Sequence, residues 1–245
     1  MSTCGVVLAG GEGKRMKSDL PKTLSLVLGK PMLQWVIDSL KGAGVSNICV
    51  VKGFKKEAIE DYVNSLSYPV KTVYQAERLG TGHAVMMAED FLCKNGGDCI
   101  VLNGDAPFMD SQTIADALKL HRSGDNAATL ISAEIADPTG YGRVVRDADG
   151  NLQKIVEQKD ADEATLKVCE VNSGAYWFNT RALLSVLNKI TSNNSAKEYY
   201  LPDALKLLIA QGQKVSVFTA SSPNTVLGAN DPAQLEELNE IARKL

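Results

Sequence analysis

The chain has 245 residues, 26 Lys and Arg against 29 Asp and Glu for a net charge of −3, and a hydrophobic share of 44%. A chain of this size buries roughly three quarters of the surface its unfolded form exposes, so it needs no disulfide or metal staple and reads as one α/β domain or a domain with a small appendage. Its interspersed charges make no field for nucleic acid or a membrane surface, so any phosphate must be bound locally; with no membrane-length apolar run and no secretory leader, the expected location is the cytoplasm.

In chain order, short apolar runs alternate with helical periodicity, the pattern of a mostly parallel sheet with helices on its faces. Cys4–Ala9 reads as a first strand running into a glycine-rich turn, Met32–Lys41 as an amphipathic helix, and Ile48–Val51 as a second strand. A helix over Lys56–Ser65, a strand over Val70–Tyr74, a helix over Thr81–Phe91, a strand over Cys99–Leu102 and a helix over Ser111–Arg122 follow. After a strand at Ala127–Ala133 the texture changes: the turns Gly140-Tyr141-Gly142-Arg143 and Asp147-Ala148-Asp149-Gly150 flank short alternating segments through Glu157, which predicts an antiparallel excursion. Helical patterns return at Thr180–Asn188 and Leu201–Ala210, a strand fits Val215–Thr219, and Pro232–Leu245 reads as a last helix. Ala204, Leu205 and Leu208, and likewise Leu235, Leu238, Ala242 and Leu245, are spaced to pack rather than to bind a ligand. Neither a linker nor an internal repeat divides the chain.

Cys4, Cys49, Cys93, Cys99 and Cys169 are odd in number and mostly set in apolar runs, so they are expected as reduced core thiols. With no Cys-x-x-Cys pair, and His83 and His121 as the only histidines, zinc has no ligand set.

The first chemical signal is Val6-Val7-Leu8-Ala9-Gly10-Gly11-Glu12-Gly13-Lys14-Arg15-Met16, a strand entering a glycine-rich turn that can aim backbone N–H groups at phosphate. Met16 stands where the dinucleotide fingerprint has its third glycine, and Arg15 stands where a P-loop has Ser or Thr, so neither motif applies. Alone the turn is as readily an ordinary strand-to-helix connection as a phosphate site. Lys14, Arg15 and Lys22, with Pro21 fixing the chain ahead of Lys22, give it the cations a triphosphate requires.

That loop, continued by Ser18-Asp19-Leu20-Pro21-Lys22, resembles the signature of the sugar-phosphate nucleotidyltransferases. Gln75-Ala76-Glu77-Arg78-Leu79-Gly80-Thr81-Gly82-His83-Ala84, Asn103-Gly104-Asp105-Ala106-Pro107, Asp137-Pro138-Thr139-Gly140-Tyr141-Gly142-Arg143, Ile155-Val156-Glu157-Gln158-Lys159-Asp160 and Glu198-Tyr199-Tyr200-Leu201-Pro202-Asp203 follow in the same order. Together they are most similar to the uridylyltransferase domains that act on N-acetylglucosamine 1-phosphate. The resemblance implies a Rossmann-like, mostly parallel mixed sheet with helices on both faces and a small antiparallel sugar-binding excursion. It implies a single nucleotidyltransferase domain over 1–245, with nucleotide binding in about 1–110, sugar binding in about 111–230 and a closing helix over 232–245.

Residue by residue, the resemblance assigns Arg15 and Lys22 to catalysis and Leu8, Ala9, Gly10, Gly11, Gln75, Gly80 and Thr81 to the nucleotide. Asp105 and Asn230 are implied to hold Mg²⁺, which takes oxygen ligands and commonly only one or two from protein. Read singly, Asp105 is equally a turn residue and Asn230 a residue of a helix N-cap. Gln75 offers donor and acceptor to a uracil edge, and Gly80 leaves room for a base against backbone. His83 reads as a packing or helix-start residue. Gly140, Glu157 and Asn172 are implied to bind the sugar; read singly they are a turn glycine, a surface glutamate and a turn asparagine.

The implied reaction is attack by a sugar 1-phosphate oxygen on the α-phosphorus of UTP, with pyrophosphate leaving. Ala9-Gly10-Gly11, Asn103 and Pro202 depart from the pattern for N-acetylglucosamine 1-phosphate, which leaves glucose 1-phosphate and N-acetylgalactosamine 1-phosphate open. A cytidylyltransferase for a phospho-alcohol and a catalytically silent, pyrophosphorylase-like module are the other readings; retention of Arg15, Lys22, Asp105 and Asn230 together weighs against the latter. UTP and a sugar 1-phosphate are thus the expected partners, with self-association possible. No hexapeptide repeat follows the domain, so a separate acetyltransferase is expected if the product is acetylated.

Overall fold

A computed structural model describes residues 2–245. In chain order it comprises β1 (Thr3–Ala9), the short hairpin β2 (Leu26–Val27) and β3 (Lys30–Pro31), α1 (Met32–Gly42), β4 (Asn47–Lys52), α2 (Lys56–Asn64) and β5 (Lys71–Tyr74). Next come α3 (Thr81–Met86), α4 (Glu89–Asn95), β6 (Asp98–Asn103), α5 (Ser111–Ser123), β7 (Ala128–Glu134), β8 (Arg143–Arg146), β9 (Leu152–Val156) and α6 (Glu163–Leu166). The chain closes with β10 (Glu170–Asn179), α7 (Thr180–Leu187), α8 (Pro202–Ala210), β11 (Val215–Thr219) and α9 (Pro232–Ala242).

Seven strands lie in the order β11-β7-β10-β6-β1-β4-β5, and β8 and β9 extend from β10 as an antiparallel hairpin. β1 pairs in parallel with β4 and β6, β4 with β5, and β7 with β11. β10 runs antiparallel to both of its long neighbours, β6 and β7. The expected mixed α/β sheet with a small antiparallel extension is therefore present.

The apolar runs follow from burial on both faces. In β1, Cys4 and Val6 join one apolar cluster, and Val7 and Ala9 the other. Cys49 and Val51 are separated in the same way from Ile48 and Val50, and Cys99 and Val101 from Ile100 and Leu102. Successive side chains point to opposite faces of a strand, so a strand covered on both sides must be apolar throughout. Helices α3, α4, α7 and α8 cover one face, while α1, α2 and α5 cover the other.

Four expectations are corrected. The helix predicted over Thr81–Phe91 is two: Ala88 (φ −95°, ψ 10°) leaves helical geometry and starts α4, which lets Ala84, Val85 and Leu92 all reach the same cluster. Periodicity announces no strand between Glu157 and Thr180, yet the ten-residue β10 lies there, at the centre of the sheet. Its pairing with β7 shifts register between Asn172 and Ala175, where Gly174 adopts φ 74°, and that bulge breaks the alternation by which a strand is read. Cys4, Cys49 and Cys99 are buried and free, with burial pushing the Cys4 and Cys49 thiols up to about 12, but Cys93 and Cys169 are exposed. Leu238 and Ala242 pack with Val27, Met32 and Phe108, whereas Leu245 is 81% exposed. No helix among the described residues is long and apolar enough to cross a membrane.

Because β1, β4, β5 and β6 run in one direction, their carboxyl ends bring the segments after Ala9, Lys52, Tyr74 and Asn103 to one edge, where open α/β sheets gather ligands. The opposite edge is fastened by Asp98. Its Oδ2 accepts from Arg122 Nε at 2.7 Å, and its Oδ1 lies 3.6 Å from Nε2 of the buried His121. Burial works against ionisation of Asp98, but the hydrogen bonds and charges of His121 and Arg122 outweigh it and hold the carboxyl below its usual range. A depressed folded-state value contributes stability above the unfolded value, and that stability is lost as pH falls through the folded one. Asp98→Ala should lose about 2 kcal/mol in urea unfolding near neutrality, the scale for hydrogen bonds to a buried charge whose arginine partner is partly exposed. In acid titrations below about pH 4 the gap between wild type and variant should narrow.

Candidate active site

The glycine loop is shaped by the segments around it. Phe54 N donates to Gly10 O at 3.0 Å, and a Cβ on Gly53 would stand 2.6 Å from that same oxygen, so only glycine permits the contact. Gly13 has φ 62°, and a Cβ there would meet Lys22 Cβ at 2.7 Å. Beyond it, a 3₁₀ turn over Lys14–Met16 buries Met16 and leaves Lys14 and Arg15 exposed. Glu12 Oε2 reaches Arg78 Nη2 at 3.0 Å and ties this loop to the segment after β5.

Lys22 turns inward from the first position of a second 3₁₀ turn. Its ammonium contacts the Asp105 carboxylate directly and donates to Asn230 Oδ1 at 2.9 Å. Asn230 arrives from 208 residues away because the segment before α9 packs on the turn after β6: a Cβ on Gly228 would stand 2.7 Å from Asp105 O. Asp231 caps α9 by accepting from Gln234 N, and Asn230 N donates back to Gln234 Oε1, which fixes the asparagine at the helix start. A carboxylate and an amide oxygen thus converge on one cation, the ammonium. A hard divalent ion bound by one or two protein oxygens, water and phosphate fits the same donors. Among the described residues no group of three or more His, Cys, Asp or Glu side chains offers a fuller ligand set.

On the other wall Gln75 is buried, and its Nε2 donates to Gly80 O at 3.1 Å and lies 3.1 Å from His83 Nδ1. With both amide hydrogens engaged, Oε1 is what Gln75 offers to the cavity it lines. Gly80 has φ 107° and is pressed against the Tyr199 backbone, while Thr81 Oγ1 accepts from Leu201 N at 3.0 Å. Thr81 therefore docks the 199–201 segment as well as lining the cleft.

The cleft encloses about 280 Å³ and is lined by Leu8, Gly10, Gly11, Gln75, Gly80 and Thr81 of the expected nucleotide residues, together with Lys22 and Asp105. Ala9 is buried behind the loop and does not line it. Arg15 is exposed outside the lining, and Asn230 meets the cleft through Lys22.

Gly140, Glu157 and Asn172 do not line this cleft but gather beside it. Asn172 N donates to Gly142 O at 2.8 Å, and a Cβ on Gly142 would stand 3.1 Å from Glu157 Oε1. Asn172 Oδ1 accepts from Gly174 N at 2.9 Å and from Tyr176 Oη at 2.8 Å, which leaves its amide hydrogens outward. Glu157 also lines a second hollow of about 380 Å³ with Asp160, Tyr200 and Asp203. Burial, then Asp160, Asp203 and Glu198, push the Glu157 carboxyl above its usual range. Asn103 joins the two regions: it lines the cleft, and its Nδ2 lies 2.1 Å from where a Gly174 Cβ would be.

Arg78, Thr23, Asn103 and Glu198 also line the cleft without having been singled out as site residues. Arg78, Asn103 and Glu198 lie inside the quoted motifs, so the signal was proximity to other site residues. His83 is a first-turn helix residue as expected, and it also anchors the Gln75 amide.

Residues 4–222 match the family described as nucleotidyl transferase. "Bifunctional protein GlmU" of Acetivibrio thermocellus is 42% identical over 97% of this chain and 51% of its own length. The protein of the same name in Clostridium beijerinckii is 45% identical over 99% of this chain and 52% of its own length. The chain spans about half the length of the curated relatives it matches. A crystal structure of a putative glucose-1-phosphate thymidylyltransferase from Bacillus anthracis, in complex with a sucrose, superposes with a TM-score of 0.79 at 21% identity, covering 100% of this chain and 96% of that one. That likeness establishes a shared fold, and the extent of the family match, from the first strand to the segment after β11, makes this chain a member of the nucleotidyl transferase family.

Proposed function

We propose that this chain transfers a uridylyl group from UTP to a sugar 1-phosphate, N-acetylglucosamine 1-phosphate foremost, and releases pyrophosphate. The observation that carries the reading is that Lys22, joined to Asp105 and Asn230, lines the same cleft as the glycine loop and Gln75. On this reading residues 1–110 serve the nucleotide and 111–230 the sugar within one cytoplasmic enzyme. The Gln75 Oε1 acceptor suits the N3–H of uracil, whereas cytosine has an acceptor at that ring position. Thymine shares that N3–H, so a thymidylyl donor is the second nucleotide to test.

The sugar phosphate is already an anion and needs no general base. One of its oxygens forms a bond to the α-phosphorus as the bond from that phosphorus to the bridging oxygen breaks, and the electron pair leaves with pyrophosphate. Two unit negative charges 4 Å apart repel by about 4 kcal/mol at an effective dielectric near 20, so cations must be in place before the anions meet. Lys22 supplies one from within the cleft. Arg15, exposed on the 3₁₀ turn that follows the glycine loop, would meet phosphate from outside the lining. Mg²⁺, held by Asp105 and Asn230 once Lys22 turns toward phosphate, would supply Lewis-acid stabilisation of charge on the nucleotide. The remaining work is orientation, which binding side chains perform without moving protons.

Pyrophosphate release measured across UTP, dTTP and CTP and a panel of sugar 1-phosphates should be highest with UTP and N-acetylglucosamine 1-phosphate and should stop on chelation. Activity with CTP alone would overturn the uracil assignment, and inactivity throughout would favour a silent binding module. Lys22→Ala should lower kcat by about 10²–10³-fold, the scale for losing one charge-stabilising donor, while its unfolding midpoint stays near that of wild type. Near-normal turnover would remove Lys22 from the mechanism.

Glu157 gives a pH test. As a carboxylate it accepts from sugar hydroxyls, and as its proton returns it loses that capacity. Its upward displacement puts this loss at higher pH than for an ordinary glutamate at about 4.3. KM for the sugar phosphate should therefore rise on acidification. Asp203→Asn removes one of the charges that raise Glu157, so the inflection should move to lower pH in that variant; the substrate's own ionisation is common to both proteins. An unmoved inflection would show that Glu157 does not govern sugar affinity.

A further inference from the structure

Arg143 opens β8 and is only 1% exposed, yet it forms no salt bridge among the described residues. The fully exposed Asp137 feels its charge only at longer range, and its Nε is buried without a hydrogen-bond partner. A buried cation with no counter-ion is far more costly than a neutral side chain of the same volume, so packing alone does not account for an arginine here.

Its hydrogen bonds show what the charge holds. Arg143 Nη1 donates to Tyr141 O, and Nη2 donates to Gln158 Oε1 at 2.9 Å. The same Gln158 oxygen accepts from Gly140 N at 3.1 Å. Gly140 has φ 89°, a conformation glycine holds only weakly by itself, so this acceptor restrains an otherwise permissive position. The next residues are fastened too, since Gly142 O accepts from Asn172 N and Gly142 lies against Glu157. Gln158 directly follows Glu157 in the chain, so one guanidinium sets the 140–142 loop against the carboxylate and the asparagine together.

We propose that Arg143 is a positioning residue for the sugar half of the site, acting through Gln158 on Gly140 and through the Tyr141 carbonyl on the rest of the loop. The proposal rests on the sugar assignment of Gly140, Glu157 and Asn172 made above. The rigid planar fork holds its two donors in a fixed relation to the Tyr141 carbonyl and the Gln158 amide, a geometry that an ammonium on a flexible stem does not fix.

Gln158→Ala, in a turn outside the core, and Arg143→Met, which keeps volume and removes the charge, test it. Each should raise KM for the sugar 1-phosphate about tenfold, as expected for a lost charge-assisted hydrogen bond, with kcat and KM for UTP within about twofold of wild type. The double variant should be no worse than the worse single one, and Gln158→Glu, which keeps the acceptor, should retain wild-type KM. Equal rises in both KM values, or additive effects, would overturn the proposal. If Arg143→Met fails to fold, the two Gln158 variants decide the same question. Hydrogen exchange at the Gly140 amide of the unliganded protein separates this inference from the reaction assignment: exchange should be about tenfold faster in Gln158→Ala. Unchanged exchange would refute the tether even if the sugar transfer is confirmed. Faster exchange in a protein that turns over no sugar 1-phosphate would refute the sugar role and leave Arg143 as a loop anchor.

Discussion

Lys22 Nζ touches the Asp105 carboxylate and lies 2.9 Å from Asn230 Oδ1, so one ammonium joins the glycine-loop segment, the turn after β6 and the start of α9. Apolar packing of Leu238 and Ala242 on Val27, Met32 and Phe108 brings the same stretches together, and the ammonium aligns their polar ends across a sequence separation of 208 residues. The Lys22 and Asp105 side chains are 15% and 23% exposed, and a partly solvated pair contributes on the order of 1 kcal/mol to stability. Its importance lies in geometry. With the ammonium between them, a carboxylate and an amide oxygen stay close before any ligand arrives, so the oxygens are already gathered where a cation is needed. Gly13 and Gly228 follow from the same requirement, since a Cβ at either would strike Lys22 or the backbone of Asp105.

The parallel core was legible because β1, β4 and β6 are enclosed on both faces and so appear as unbroken apolar runs, with helical periodicity between them. The grouping of the expected nucleotide residues was nearly as legible, because most of them follow those strands closely and line one cleft. What escaped was set by tertiary contacts. β10 begins Glu170-Val171-Asn172-Ser173-Gly174, polar and bulged, and only its second half, Ala175-Tyr176-Trp177-Phe178, has the bulk of a core strand. The break at Ala88 depends on both short helices sharing one cluster, which no local pattern encodes. His83 and Arg143 were visible as residues within motifs, but the amide one holds and the loop the other restrains become visible only when distant turns are placed together. Asn103 and Gly174 are a similar pair: a sequence separation of 71 hides a contact in which a Cβ on the glycine would strike the Asn103 amide.

The direction of β10 explains how one edge of the sheet serves both halves of the proposed reaction. Parallel strands deliver their carboxyl ends to the ligand edge. A strand running the other way delivers its beginning there, and β10 begins with Glu170 to Gly174, past the register at which Tyr176 faces Val101 of β6. Asn172 is thereby carried to the same edge as Asn103 and Asp105 without another crossover. The β8–β9 hairpin, paired to β10 through Val171 and Arg143, then stands beside that edge and brings Gly140 and Glu157 with it.

This arrangement has an electrostatic consequence for the proposed transfer. Lys22 and Arg15 lie on the β1 side, whereas Glu157, Asp160, Glu198 and Asp203 collect on the proposed sugar side, where burial first and then the neighbouring carboxylates raise Glu157 and Asp203, with Lys206 opposing the rise at Asp203. A sugar 1-phosphate has an uncharged, hydroxyl-rich ring and one anionic end. The carboxylates can accept from the ring's hydroxyls while repelling its phosphate, and the basic loop attracts that phosphate. On the proposed reading the two fields orient the molecule along the line joining Glu157 to Lys22, ring toward the hairpin and phosphate toward the nucleotide. On the same reading a non-sugar phosphate would feel the repulsion without the compensating hydroxyl bonds, so the acidic wall would favour a polyhydroxylated acceptor.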